Sequence, residues 1–179
     1  MPTVVGHALF ASALGAGFRA RPALIACAAF CAVAPDFDVL AFRFGIPYEA
    51  PLGHRGFSHS LLFAALLGLA ATLLLRAFLR GAARPGFAPT FALLTLAAAS
   101  HGFFDALTDG GLGVAFFSPF DHTRYFLPWR PIAVSPLGIA RFFSDRGAAV
   151  IASEAAWIGA PSLLLWLALR WRAARPAQP

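Results

Sequence analysis

The sequence predicts an all-α membrane protein, a polytopic helical bundle of about five segments in which the first two form a short hairpin. Of the 179 residues, 59% are hydrophobic and 12% are charged, whereas soluble domains average roughly 45–50% and about 25%. The mean hydropathy is +0.72. All 14 basic side chains are arginines, and many cluster between long apolar runs, as membrane-flanking cations do.

The first apolar stretch is predicted to be two short helices. Pro22 interrupts it shortly after two glycines, and proline and glycine both disfavour a continuous helix. Helices over Val4–Gly17 and Pro22–Ala34 would each be about 20 Å long at ~1.5 Å per residue, with Arg19 and Arg21 at the tip. The alternative, one long helix, would hold both arginines near mid-membrane at a cost of about 2.5–3.5 kcal/mol each.

Three further spans complete the predicted bundle. They are Phe57–Leu79, Thr90–Leu107 and Ala148–Leu169. Each is long enough to cross most of the roughly 30 Å hydrocarbon core. Gly81–Pro89 is predicted to be a turn, and Gly110–Asp145, which is rich in proline, glycine and aromatic residues, a cover at the membrane interface. Residues 1–172 are predicted to form a single domain, followed by a disordered tail over 173–179.

The arginine clusters predict an orientation. They lie at one end of the predicted helices, at residues 19 and 21, 76 to 84, and 170 to 175. The positive-inside rule makes that end cytoplasmic, so the opposite end faces the extracytoplasmic side of a bacterial or archaeal cytoplasmic (inner) membrane. The lipid bilayer is the expected partner, and the placement of the arginines argues against nucleic acid. Cys27 and Cys31 are predicted to be packing residues, and the sequence leaves the oligomeric state open.

The opposite end of the bundle collects ionisable residues. His101, Asp105 and Asp109 are spaced i, i+4, i+8, which predicts one helical stripe within about 80° of arc. Asp36 and Asp38 follow an apolar arm in a sequence expected to form a non-helical turn. Ionisable residues at membrane depth are rare and usually functional.

More candidates reach the same end. His54, Arg55 and His59 come just before a long span, while His7 and Glu154 lie at the same predicted level. His122 is expected at the surface or in a lid. Imidazoles and carboxylates in this number predict one or two divalent metal ions, with zinc favoured by the histidines and manganese as the alternative.

The order of these residues resembles a known pattern: a His near the N-terminus, Pro-Asp-x-Asp, His-Arg-Gly-x-[Ser/Thr]-His-Ser, and His-x-x-x-Asp. It is similar to that of YdjM-type inner-membrane proteins, described as LexA-regulated or as membrane-bound metal-dependent hydrolases. The resemblance covers about Thr3 to Pro136, and His54 to Ser60 is its most specific block. This family is in turn distantly similar to zinc-dependent phospholipase C and P1 nuclease.

The resemblance implies a set of metal ligands. These are His7, Asp36, His54, His59, His101 and Asp105. Glu154 is a further candidate, although Val150 stands where the phospholipase pattern has a histidine. Asp38 and Asp109 would then be additional ligands or lie behind the ligands, and Arg55 would contact a substrate anion.

The expected function is hydrolysis of a phosphoester bond in a lipid or lipid-linked substrate. Asp38 or Asp109 would accept a proton from the attacking water, and Arg55 would neutralise charge on the phosphoryl oxygens. Two alternatives stay open. A proton or metal ion transporter would also use intramembrane His and Asp, although the other ends of the helices are almost purely apolar. A metal-stabilised scaffold without catalysis would have saturated ligands.

Overall fold

The computed structural model describes residues 1–135 and 144–174, and this part of the chain is helical without a β-strand. Its α-helices are α1 (Val4–Gly17), α2 (Pro22–Val33), α3 (Leu61–Phe78), α4 (Phe87–Ala106), α5 (Asp145–Glu154) and α6 (Ala160–Ala174). A π-helical turn, Ala155–Gly159, joins α5 to α6 in one rod. The all-α prediction is confirmed.

The N-terminal hairpin is present as predicted. Thr3 caps α1 by accepting a hydrogen bond from the backbone N–H of Gly6. Pro22 opens α2 at the first turn, where the N–H that proline lacks would have no partner in the helix. The two helices pack against each other, so the chain returns to the end from which α1 starts.

The segment after α2 differs from the prediction. Instead of a non-helical turn at Asp36, the chain continues as a 3-10 helix, Ala34–Phe44, and ends at Gly45 with φ of 73°. Pro35 is tolerated because it falls in the first turn of this helix. Residues Pro22–Phe44 thereby form one helical unit of 23 residues.

Within residues 1–135 and 144–174, four helical units are long and apolar enough to cross a membrane. They are Pro22–Phe44, Leu61–Phe78, Phe87–Ala106 and Asp145–Ala174. The α3 helix begins later than the predicted Phe57, because Ser60 caps it by accepting from the N–H of Phe63. Large side chains such as Leu73 and Leu164 are more than half exposed, as expected of a surface that lipid covers.

Small residues form the interior of the bundle. Alanines of α1 to α4 and Cys31 are buried together around Leu94, and Gly68 of α3 lies directly against Thr95 of α4. Small residues at such contacts let helices approach closely in a membrane. Cys27 and Cys31 are free thiols packed in or against this core, as predicted.

The C-terminal end of α4 is covered by an irregular segment. The carbonyl of Ala106 accepts from the N–H of Leu127, and that of Leu107 from the N–H of Ile132. The described part of the predicted cover, residues 110–135, is thus non-helical and bound to the helix end, while residues 136–143 lie outside the described residues. The last helix continues to Ala174, two residues into the predicted tail, and residues 175–179 also lie outside the described residues.

Candidate metal centre

Four elements bring the candidate ligands to one end of the bundle. Asp36 lies in the 3-10 helix after α2, and His59 in the short 3-10 turn Phe57–His59 before α3. His101 and Asp105 occupy the last turns of α4, four residues apart and therefore on one face. Because α2 and α4 end where α3 begins, side chains distant in sequence converge there.

Four side chains form a compact buried group, called here the four-residue group: Asp36, His59, His101 and Asp105. Nε2 of His59 and Nε2 of His101 are 3.0 Å apart. Asp36 Oδ1 lies 3.3 Å from Nε2 of His101, and Asp105 Oδ2 lies 3.4 Å from Nε2 of His59. Tetrahedral zinc ligands at about 2.0–2.1 Å from the ion are separated from one another by about 3.3–3.4 Å. The spacing therefore fits one metal ion.

Hydrogen bonds at the other ring nitrogens leave the facing Nε2 atoms unprotonated in the neutral imidazoles. Nδ1 of His101 is 2.7 Å from the carbonyl oxygen of Ala32, which can only accept. Nδ1 of His59 is 3.1 Å from Asp38 Oδ2, so it too carries the hydrogen. Two nitrogen lone pairs facing each other at 3.0 Å repel unless a cation lies between them.

The carboxylates in the group lack hydrogen bonds. Within the described residues, no hydrogen bond reaches either oxygen of Asp36 or of Asp105, although Asp36 is 5% exposed and Asp105 is 0% exposed. Asp105 Oδ2 forms an ion pair with Arg55 at 2.8 Å, which leaves both oxygens of Asp36 and Oδ1 of Asp105. Buried carboxylate oxygens without a hydrogen bond are costly, and a divalent cation is the partner that two carboxylates and two imidazoles suit. The residues present thus fit a bound metal ion.

The charges lead to the same conclusion. The carboxylates of Asp36, Asp38 and Asp105 all lie within 4 Å of a ring nitrogen of His59. The guanidinium of Arg55 pairs with Asp105, so two negative charges remain when the histidines are neutral. One divalent cation would match them. Although burial lowers the pKa of His59, the surrounding carboxylates raise it well above its ordinary value, which reflects the same attraction for positive charge.

Asp38 orients the site from behind. Its Oδ1 is 2.6 Å from Nδ1 of His54, and its Oδ2 accepts from the hydroxyl of Ser58 at 2.5 Å and from the backbone N–H of Arg55 at 3.1 Å. With Nδ1 of His59 as a fourth donor, both oxygens are occupied. This arrangement does not favour the predicted role of Asp38 as a base, and it fits the alternative that Asp38 lies behind the ligands.

Arg55 is buried and rigidly held. Its Nε lies 2.8 Å from Asp105 Oδ2, its Nη1 donates to the carbonyl of Gly110, and its Nη2 donates to the hydroxyl of Thr108. The backbone φ of Arg55 is 63°, a conformation that non-glycine residues rarely adopt and that is often found at functional sites. The guanidinium thereby lies directly beside the four-residue group.

His7 and His54 adjoin this group without belonging to it. The His7 ring stacks on that of His101, with 3.9 Å between centroids, and its Nε2 is 3.6 Å from Asp105 Oδ1. Neither ring nitrogen of His7 has a hydrogen-bond partner among the described residues. His54 belongs instead to a hydrogen-bonded set with Asp38 and His59.

Two predicted site residues lie elsewhere. The α4 helix ends at Ala106, so Asp109 leaves the predicted stripe, is exposed, and accepts from the backbone N–H of Val134. Both oxygens of Glu154 accept from Thr3, at 2.5 Å from the backbone nitrogen and 2.6 Å from the hydroxyl. Glu154 therefore connects α5 to the start of α1. It belongs neither to the four-residue group nor to the set of Asp38, His54 and His59. His122 is exposed at the surface, as expected.

Several residues around the site were missed by sequence reasoning. Arg124 donates to the carbonyl of His54 and to that of Tyr48, which ties the cover to the His54 loop. Thr108 accepts from Arg55 in a fully buried position. Ser58, which donates to Asp38, was missed as well. Of these residues it alone could have been found from the sequence, because it lies inside the His54–Ser60 block.

Fold and site together define a multi-pass α-helical membrane protein with a buried His/Asp group at one end of its helices. The family model described as YdjM inner membrane protein matches residues 1–178. The chain is 37% identical over 175 residues to the inner membrane protein YbcI of Escherichia coli (strain K12), and the alignment covers 96% of this chain and 99% of that protein. No solved structure matches the chain.

The chain therefore belongs to the YdjM inner membrane protein family. This confirms the family resemblance, and it supports the predicted multi-pass location in an inner membrane. The further similarity to phospholipase C and P1 nuclease stays a prediction.

Proposed function

We propose that this protein is a membrane-bound metal-dependent hydrolase that cleaves a phosphoester bond in a lipid or lipid-linked substrate. The observation that carries the proposal is the pair of Nε2 atoms of His59 and His101, 3.0 Å apart and flanked by the buried carboxylates of Asp36 and Asp105. The ion is zinc in this proposal, with manganese as the alternative. A bound divalent ion supplies Lewis-acid chemistry, lowering the pKa of water toward about 7.

Arg55 and His54, which lie beside the proposed metal ion, have separate roles in the reaction. Arg55 places a fixed positive charge next to Asp105, where it offsets negative charge that develops on phosphoryl oxygens. His54 is held through Nδ1 by Asp38, so its Nε2 can accept or return a proton while the carboxylate stabilises the imidazolium. In this proposal His54 replaces Asp109 and Asp38 as the proton-transfer group, because Asp109 lies outside the site and Asp38 is fully occupied.

Two features support a lipid substrate. The site lies at the end of membrane-spanning helices and is shielded by the cover, whose Phe116 carbonyl and Ala115 N–H bond to Leu61 and Arg55. An apolar groove of about 370 Å³ runs along α1 from Thr3 to Leu9, between α1 and the segment from Ile151 to Gly159. We propose that this groove receives an acyl chain.

The proposed orientation places the site on the extracytoplasmic side. Arg19 and Arg21 lie in the connection between α1 and α2, Arg80 and Arg84 in that between α3 and α4, and Arg170 and Arg172 in the last turns of α6. Positive residues favour the cytoplasmic side.

The distribution of buried charge supports an enzyme over a transporter. Within the described residues, every buried acidic, arginine or histidine side chain belongs to the site end: His7, Asp36, His54, Arg55, His59, His101, Asp105 and Glu154. In the other half, Thr72 donates to a carbonyl of its own helix. A transport path needs polar groups that continue across the membrane.

The test is elemental analysis of the detergent-purified protein, prepared without chelator. Wild type is expected to carry one or two equivalents of zinc or manganese. His59→Ala and Asp105→Ala should lose it, while His122→Ala and Asp109→Ala, which alter exposed residues of the same types, should keep it. Absence of metal from wild type even after metal is added back would refute the proposal and favour a proton pathway. Bound metal without hydrolysis of any phosphoester lipid would favour the scaffold.

A further inference from the structure

A small cavity adjoins the four-residue group. It has a volume of about 200 Å³, and Tyr48, His54, Arg55 and Gly111 are among its lining residues. It is connected to the group on two sides: Arg55 pairs with Asp105 at 2.8 Å, and Asp38 bridges His54 to His59. An occupant of this cavity would therefore contact Arg55 and His54, which link it to the group through Asp105 and Asp38.

The charge of the lining selects for an anion. Among the described residues that line the cavity, Arg55 is the one charged side chain, and no carboxylate lines it. Asp105 and Asp38 lie behind Arg55 and His54. The cavity thus suits a negatively charged group, whereas the neighbouring four-residue group suits a cation.

The polar atoms that line the cavity can hold oxygen atoms. Nδ1 of His54 is bound to Asp38, which leaves Nε2 for an occupant. The hydroxyl of Tyr48, like any tyrosine hydroxyl at neutral pH, is protonated and can donate. The guanidinium has more N–H groups than the three contacts that Arg55 makes within the protein.

Gly111 is required for this arrangement. A Cβ atom there would lie 2.7 Å from Nη1 of Arg55 and 2.9 Å from the hydroxyl of Tyr48. Both donors therefore approach the position where any other residue would place a side chain. The φ of Gly111 is +90°, which also favours glycine.

We propose that this cavity binds the phosphate of a phosphate monoester, which makes a lipid monophosphate the substrate class; the inference rests on the proposed function. The cavity is smaller than the roughly 300–1,000 Å³ pockets of drug-sized ligands, so it accommodates a terminal phosphate rather than one bearing a second large substituent. In the reaction, water forms a new bond to phosphorus and the bond from phosphorus to the alcohol oxygen breaks. The alcohol oxygen takes the proton that the attacking water loses, and inorganic phosphate remains in the cavity.

The experiment measures binding of inorganic phosphate to the full-length, metal-loaded protein in detergent by titration calorimetry. Gly111→Ala is expected to weaken binding at least tenfold and Tyr48→Phe several-fold, with the metal content unchanged in both. Gly45→Ala is the matched control, because Gly45 also has a positive φ, +73°, but has no atom within 4 Å of the added Cβ. Melting temperatures check that each variant is folded.

The outcomes separate this inference from the proposed function. Metal-loaded wild type that does not bind phosphate, or unchanged binding in both Gly111→Ala and Tyr48→Phe, overturns the inference and leaves the metal centre intact. The wild type could instead bind no metal and still bind phosphate in a way that depends on Gly111 and Tyr48. That result supports the anion site and refutes the proposed metal-dependent hydrolase. If Gly111→Ala fails to fold, Tyr48→Phe, which keeps the aromatic ring, decides.

Discussion

Replacing Asp38 with asparagine tests whether this carboxylate orients the ligands or is itself a ligand. Asp38 accepts from Nδ1 of His59 at 3.1 Å and from Nδ1 of His54 at 2.6 Å, so it directs Nε2 of His59 toward Asp36 and Asp105. Loss of a partner behind a ligating histidine typically weakens metal binding about 10–100-fold, or roughly 1.4–2.7 kcal/mol. Asp38→Asn should therefore bind zinc with that reduced affinity and with unchanged stoichiometry.

The assay is a competition titration of the detergent-purified protein with a chromogenic zinc chelator. Asp36→Asn, which alters a proposed ligand, should lose stoichiometric binding altogether. Asp109→Asn is the control and should match wild type, because Asp109 is exposed and its side chain accepts from the backbone N–H of Val134 in the cover. If Asp38→Asn loses all zinc as Asp36→Asn does, Asp38 is a ligand. If its affinity equals that of wild type, the hydrogen bond to His59 has no role in orientation, and the reasoning is wrong.

Three other outcomes follow from the structure. Dialysis against a chelator should lower the melting temperature and zinc should restore it, since an ion at 100 times its Kd stabilises by about 2.7 kcal/mol; an unchanged melting temperature would contradict a resident ion. Glu154→Gln should destabilise the protein by about 1–3 kcal/mol through its weakened bonds to Thr3 with the metal content unchanged, whereas metal loss at an unchanged melting temperature would restore Glu154 as a ligand. Gly68→Ala should lower the melting temperature more than Gly81→Ala. A Cβ atom at Gly68 would lie 2.8 Å from the backbone nitrogen of Thr95, whereas a Cβ atom at Gly81 would have no atom within 4 Å. Equal melting temperatures would contradict the close contact between α3 and α4.

Local rules were sufficient for the helical framework. Pro22 and the preceding glycines predicted the hairpin because their effect on a helix depends only on the backbone at that point. His101 and Asp105 were predicted to share a face because the helical period places residues i and i+4 together. Their ionisable groups within an apolar run also predicted a site at that end of the bundle.

Contacts between segments were needed to assign the roles. Asp36 and Asp38 are two residues apart, yet one faces His101 and the other lies behind His54 and His59. This separation depends on the 3-10 helix Ala34–Phe44, which the sequence pattern did not indicate. A 3-10 helix turns by about 120° per residue, so alternate residues point in different directions.

By itself the sequence determined the class of protein, most of the helices and the end of the bundle where the ionisable residues lie, because hydropathy and helical period act over short stretches of chain. Only the tertiary structure decided that α4 ends at Ala106, whose carbonyl accepts a hydrogen bond from the N–H of Leu127. Asp109 therefore lies away from the four-residue group. The tertiary structure likewise showed that Glu154 accepts a hydrogen bond from Thr3. Both outcomes depend on hydrogen bonds between segments more than twenty residues apart, for which no local pattern exists.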